Sequence, residues 1–239
     1  MGYKMIYLAR RNPVATAAEF PKLWRSHAAF VSQFGSVGSR FTQVMQCSRV
    51  LDVPGVAGAS QDYDGVAVLS CPTLEDTLTQ TLPPDIRVKV DTDERRVFDG
   101  LVEDFTMRAS EHVLLDAGFD AARERAALIT FIKAKPGVSG AALAQDFREK
   151  RWPALRALPG MTQRVVRCVL NEIVEKPPAG YEYDAINELW FASVADAVSA
   201  LSDPAVQAAM SGQPADVHDP ARTVQMFTRI THTWTAPKA

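Results

Sequence analysis

The sequence predicts an α+β protein built from two similar halves, and three observations carry that reading. Short motifs recur 120 positions apart: Phe41-Thr42-Gln43 as Met161-Thr162-Gln163, Tyr63-Asp64-Gly65-Val66 as Tyr183-Asp184-Ala185-Ile186, Asp76 as Asp196, Pro84 as Pro204 and His112 as His232. Nearer the N-terminus Asn12-Pro13 matches Lys135-Pro136 at an offset of 123. Apolar strand-like runs alternate with helix-period stretches in the same order in each half. With 239 residues in all, each half is long enough to bury a core of its own. The expected domains are residues 1–116 and 126–239, with the segment from Asp116 to Arg125 as linker.

The first half opens on an apolar strand, Lys4 to Arg10, that ends in a polar turn containing Pro13. Thr16 and Glu19 have the spacing of a capping box, and Phe20, Leu23, Trp24, His27, Val31 and Phe34 then fall on one helical face. A second strand is expected from Thr42 to Val50, a third from Gly65 to Ser70, and a last from Glu103 to Leu115. Thr73 and Asp76 mark the start of a second helix. The second half repeats the order. Ala127 to Lys133 is its first strand, Ser139 caps a helix over Ala141 to Leu155, and strands follow at Thr162 to Val174, Ala185 to Phe191 and Thr223 to Trp234. Ser193 and Asp196 start the second helix there. Loops rich in Gly, Pro and Asp separate the second and third strands of each half.

Each half thus reads βαββαβ, the ferredoxin-like arrangement with both helices on one face of an antiparallel sheet. The other face of each sheet is also apolar and has to be buried. Packing the two open faces together gives an α+β barrel within one chain, with a cavity expected between the sheets.

Bulk properties exclude several classes of function. The net charge is -2 and the basic residues are scattered, which argues against a nucleic-acid surface. No apolar run reaches the roughly 20 residues that span a bilayer, so no membrane association is expected. Three cysteines, Cys47, Cys71 and Cys168, have neither metal-ligand spacing nor an even count, which fits a reducing, cytoplasmic compartment. The opening residues run directly into a strand, so neither a secretory leader nor a myristoylation signal is expected. No phosphate loop, dinucleotide fingerprint or nucleophile elbow is present.

The ordered motifs resemble those of EthD-like proteins of the dimeric α+β barrel superfamily. Arg10-Arg11-Asn12-Pro13, Glu19-Phe20 and Leu23-Trp24-Arg25-Ser26-His27 are similar to the opening of that family. Lys135-Pro136-Gly137, Phe147-Arg148-Glu149 and Arg151-Trp152-Pro153-Ala154-Leu155 repeat the pattern, and Tyr183-Asp184-Ala185-Ile186-Asn187-Glu188-Leu189-Trp190-Phe191 resembles its third strand. The first half keeps Tyr63-Asp64-Gly65-Val66 but continues Ala67-Val68-Leu69-Ser70. The resemblance implies a small-molecule enzyme that acts on phenolic or other aromatic compounds without a bound cofactor, and a homodimer is an expected partner state.

Candidate catalytic residues follow from where the halves differ. His27 stands where the family places its histidine, and an imidazole moves protons either way near neutrality. With one residue inserted, Arg151 takes the matching position in the second half. Glu188 lies in an apolar strand on the face of Ile186 and Trp190, where burial raises a carboxyl pKa; its counterpart is Val68. Pairing with Arg164 or Arg167 is the plain alternative for Glu188, and a core position with one satisfied nitrogen is the plain alternative for His27. Tyr7, aligned with Thr130, is a candidate to steady an anion. Tyr63 and Asp64 are substrate-binding candidates, but their retention as Tyr183 and Asp184 equally suits a strand-entry turn capped by the carboxylate. Arg151 is an anion partner, and Trp152 and Trp190 are aromatic walls or core. His112 and His232 lack a third ligand, so no metal is expected, and His218 has no assigned role.

The function expected from the sequence is a cofactor-independent lyase of aromatic catabolism, cleaving a C–C bond, decarboxylating or dehydrating. A cofactorless monooxygenase and a non-catalytic carrier of a hydrophobic ligand are the alternatives.

Overall fold

A computed structural model describes residues 2–78, 82–211 and 217–237. Eight strands form: β1 (Gly2–Ala9), β2 (Gln43–Arg49), β3 (Gly65–Cys71), β4 (Thr106–Asp116), β5 (Ala126–Ile132), β6 (Val165–Ile173), β7 (Ala185–Phe191) and β8 (Val224–Thr235). The helices are α1 (Phe20–Val31), α2 (Gly35–Gly38), α3 (Pro84–Val97), α4 (Gly140–Asp146), α5 (Trp152–Arg156), α6 (Pro159–Thr162), α7 (Val194–Leu201) and α8 (Pro204–Ser211). All strand pairs are antiparallel, and the sheet closes into a barrel in the order β1-β3-β2-β8-β5-β7-β6-β4. The fold is mixed α+β. The order β4-β1-β3-β2 in the first four strands recurs as β8-β5-β7-β6 in the last four, and the pairs β2–β8 and β4–β6 join them.

Alternation along each strand decides which side chains enter the barrel. On β1, Ile6 and Leu8 point in, and Met5, Tyr7 and Ala9 point out towards the helices. Val66, Val68, Met107, Ile129, Phe131, Ile186, Trp190 and Met226 complete an apolar interior. Two further cores lie outside the barrel. Phe20, Trp24, Val97 and Phe98 cover the first four strands, and Leu143, Phe147, Trp152, Leu155, Ala197 and Leu201 cover the last four.

The interior also holds a buried ion pair. Lys4 Nζ lies 2.7 Å from Glu188 Oε1 and 2.9 Å from Glu111 Oε1. Lys4 is 2% and Glu188 1% exposed. Asn171 Nδ2 donates to Glu188 Oε1 at 2.7 Å, and Trp190 Nε1 donates to Oε2 at 2.8 Å. Charges out of water hold their place only when paired and hydrogen-bonded, and these are both. The pair ties β1 to β7 across the barrel.

Four expectations are corrected. The large cavity does not lie between the two sheets, because side chains fill that space. Thr73 and Asp76 do form reciprocal capping bonds, but only a single 3₁₀ turn follows, over Glu75–Thr77. The first half's second helix begins at Pro84, where the imino ring fits a first turn that needs no N–H. The helix capped by Ser139 is broken by a π-helical turn over Phe147–Arg151, which accommodates one extra residue between Phe147 and Trp152. Residues 162–164 precede β6 rather than joining it.

The ion pair yields a test. Lys4→Met strands a buried carboxylate and should cost about 3–5 kcal/mol in urea unfolding. Lys4→Met combined with Glu188→Gln should recover part of that loss, because no charge is left stranded; the amide oxygen replaces one of the two acceptors that Asn171 and Trp190 use. Additive losses in the double variant would show that the pair is not coupled.

Candidate active site

The antiparallel register builds the floor of a site on the outer face of the first four strands. Thr106, Tyr7, Ala67, Gln46 and His232 stand in one row across β4, β1, β3, β2 and β8. Two residues along, on the same face, the next row is Arg108, Met5, Leu69, Val44 and Trp234. The first row is largely polar and the second apolar over its middle strands. A register shift between Gln46 and Cys47, where β2 meets β8, lies at the polar row. Above both rows run α1 and α3. Between floor and roof lies a cavity of about 970 Å³, whose lining includes His27, Glu94, Tyr7, Gln46, His232, Met5, Val44, Leu69, Val90 and Trp234.

The position of α1 follows from a glycine. A β-carbon on Gly65 would come within 2.6 Å of the Trp24 ring and 2.8 Å of the Cys47 carbonyl oxygen, so only glycine lets the indole rest on β3. Trp24 stacks on Phe20 at 5.0 Å between ring centres, and its Nε1 donates to the Tyr7 hydroxyl at 3.0 Å. Gln46 Nε2 donates to the Trp24 carbonyl at 3.1 Å. These contacts hold the turn of α1 that carries His27 above the polar row.

His27 is 7% exposed, and its Nδ1 lies 2.7 Å from Asp93 Oδ2 on α3. Arg96 Nε donates to the other oxygen of Asp93 at 2.8 Å, which fixes the orientation of that carboxylate. Burial pulls the His27 pKa below its ordinary value, against the opposing pull of Asp93. The imidazole is therefore neutral at pH 7, with Nδ1–H donated to Asp93. Nε2 then carries the lone pair and has no partner among the described residues, as a general base requires.

Glu94, next to Asp93 on α3, accepts a hydrogen bond from the Val102 N–H at 2.9 Å. Burial outweighs that bond and pushes its pKa up to about 7, so the group holds a proton half the time at neutrality. Tyr7 is pushed well above the ordinary phenol range, first by burial. It stays neutral, accepts from Trp24, and keeps its own proton for a ligand. Gln46 is 3% exposed, and its Oε1 has no partner among the described residues. A base, an acid, a neutral donor and an open acceptor thus border one mainly apolar cavity.

Of the residues singled out in the sequence, His27 and Tyr7 meet at this cavity. Glu188 and Trp190 point into the barrel, on the opposite side of the sheet, and Glu188 pairs with Lys4 rather than with Arg164 or Arg167. Tyr63 also packs with the barrel core, under the Arg10 guanidinium at 4.4 Å. Asp64 accepts from the Arg11 N–H at 3.0 Å and from the guanidinium of Arg11 at 2.6 Å; Asp184 accepts from the Ala134 N–H at 2.7 Å. Each carboxylate ties the start of β3 or β7 to the segment that leaves β1 or β5, rather than capping its own turn. Trp152, the first residue of α5, is buried core. Arg151 pairs with Asp146 and contacts His218 at a second, small cavity of about 70 Å³, lined also by Thr130 and Leu155. Matching Trp152 to Trp24 places Leu155, rather than Arg151, three residues on at the position of His27.

Asp93, Glu94, Gln46 and His232 were not singled out as site residues. Asp93 and Glu94 sit in the charged run Asp91-Thr92-Asp93-Glu94-Arg95-Arg96, which reads as a solvated helix face. Gln46 did leave a signal, a polar residue alternating with apolar ones inside a strand. Among the described residues, no group of three or more His, Cys, Asp or Glu is arranged to hold a metal ion, and no helix is long and apolar enough to cross a membrane.

Residues 135–218 match the family model described as EthD domain. That match covers the second half, whereas the large cavity lies over the first. No curated protein matches the sequence. Among solved structures, a Fusobacterium nucleatum protein provisionally named a monooxygenase superposes with a TM-score of 0.59 at 7% identity, covering 98% of this chain and 94% of that one. A substituted chlorite dismutase from Candidatus Nitrospira defluvii superposes with a TM-score of 0.50 at 13% identity, covering 96% of this chain and 90% of that one. At such identities the likeness is one of fold.

The raised Glu94 pKa has a stability consequence. The unfolded carboxyl titrates near 4.5 and the folded one near 7, so between those values the unfolded state binds fewer protons. Stability should therefore fall as pH rises through that window, by on the order of 2–3 kcal/mol from this group. Glu94→Gln should lose that dependence and gain on wild type at pH 8 but not at pH 4. Parallel urea-unfolding curves for the two proteins across pH would contradict it.

Proposed function

From the EthD domain that the chain carries, we propose a cofactor-independent enzyme that moves protons on a small aromatic or phenolic molecule, most simply as a lyase. The observation that carries this reading is the His27–Asp93 pair, with Nε2 unpartnered at the edge of an apolar cavity that Glu94 also borders. In a dehydration, His27 Nε2 takes the phenolic proton. The electron pair moves through the ring and expels a benzylic hydroxyl group, which leaves as water with the proton of Glu94. A quinone methide remains, and transfer of the proton from His27 to Glu94 resets the site. Tyr7 donates to the developing phenolate, and Gln46 Oε1 accepts from a second hydroxyl. The phenol is its own electron sink, so the step calls on no cofactor. Decarboxylation or C–C cleavage would use the same base and acid.

A cofactorless monooxygenase is the second reading, favoured by the name of the Fusobacterium protein whose fold this chain shares. In it the substrate anion formed by His27 reduces oxygen directly. The matching strand orders support two ferredoxin-like halves descended from one duplicated unit, with domains at residues 1–116 and 126–239.

His27→Ala should lower turnover of phenols bearing a benzylic leaving group by at least about 10²-fold, with the fold retained. Activity should be bell-shaped in pH. The acid limb falls below the ordinary histidine range, and the alkaline limb lies near pH 7, where Glu94 loses its proton. Glu94→Gln should be slower and lack the alkaline limb. Strict dependence on oxygen would favour the monooxygenase, and unchanged turnover in folded His27→Ala would remove the assignment altogether.

A further inference from the structure

The floor of the cavity continues past its apolar row to an arginine. Cys71 on β3 lies two residues beyond Leu69, and Arg40 lies close enough to Cys71 to share its electrostatic field. Arg40 lines the cavity and sits over the Phe41 ring, 4.7 Å from its centre. One of its terminal nitrogens donates to the Leu78 carbonyl. Its Nε is buried with no acceptor, and no carboxylate pairs with it, among the described residues. The other arginines of the lining differ. Arg87 is neutralised by Asp91 at 2.7 Å and Glu103 at 2.8 Å, and Arg25 is exposed with a hydrogen bond to the Thr231 carbonyl at 2.8 Å.

A half-buried guanidinium that lines a cavity with no carboxylate beside it is costly unless something anionic completes it. From Ala67 in the polar row to Cys71 beside Arg40 is four residues, or roughly 13 Å at the strand rise of about 3.3 Å. The roof keeps the same order. Glu94 and His27 lie towards the polar row, and Val90 and Val31 follow one helical turn along α3 and α1.

We infer that the cavity takes an amphipathic carboxylate: its reacting hydroxyl lies on the polar row beneath His27, its ring body on Met5, Leu69 and Val44, and its carboxylate on Arg40. The inference rests on the acid–base reading for which end reacts, but the Arg40 subsite is a matter of binding. A planar guanidinium suits a carboxylate, which it meets with two parallel hydrogen bonds. The span fits two fused rings with polar groups at opposite ends.

The test uses 6-hydroxy-2-naphthoic acid, its methyl ester and 2-naphthol as probes, titrated into the full chain and followed by tryptophan fluorescence. The acid should bind at least about tenfold more tightly than the ester or the naphthol. Arg40→Met, which keeps the apolar stem, should bring the acid to the level of the ester and leave the ester unchanged; Arg40→Lys should keep part of the preference. Equal binding of acid and ester by the native protein overturns the inference. So does an equal loss of both in a variant whose circular dichroism is native, and so does the absence of any binding. His27→Ala separates this from the catalytic reading: the acid preference should survive there, whatever happens to turnover.

Discussion

The closure of the sheet is the constraint on which the rest of the structure depends. A four-stranded sheet with helices on one side leaves an apolar face that water does not tolerate. Here the two faces meet because β2 pairs with β8 and β4 with β6, and among the described residues no open sheet edge remains. Closure has two consequences. The interior becomes a packed core, where a lysine and a glutamate survive by pairing with each other and with Glu111, Asn171 and Trp190. Open space is left to the helix layers outside, and there the large cavity forms.

The two helix layers differ although the sheets beneath them run in the same order. Over the first four strands, α1 and the fourteen-residue α3 stand off the floor and leave about 970 Å³. Over the last four, α7 and α8 with the π-helical turn fill nearly the same place, and about 70 Å³ remains. Tyr7 lines the first and Thr130 the second, as their alignment on β1 and β5 requires. The sequence differences that matter are therefore of two kinds. His27 against Leu155 distinguishes the cavities, whereas Val68 against Glu188 distinguishes two positions inside the barrel.

Two residues of the candidate site, His27 and Tyr7, were legible in the sequence, and the missing part has a physical reason. His27 could be found because it interrupts an apolar helical stripe, and Tyr7 because it interrupts an apolar strand. Glu188 interrupts a strand just as clearly, yet it lies on the barrel side. Period-two alternation says which residues share a face; it does not say whether that face meets another sheet or a helix. Asp93 and Glu94 were hidden for the opposite reason. Their helix is charged along most of its length, and only contact with His27 and Val102 separates these two carboxylates from their solvated neighbours.

The sequence by itself determined the strands, their order within each half, and the first helix with its buried stripe. These rest on local periodicity. Tertiary structure alone decided where the second helix of the first half begins, which face of each sheet is closed, and which carboxylate serves His27. The last two depend on atoms far apart in the chain, such as Lys4 with Glu188 or His27 with Asp93, and Asp64 likewise reaches back to Arg11. Burial, which raises one acid and neutralises one base here, exists only once those distant segments have met.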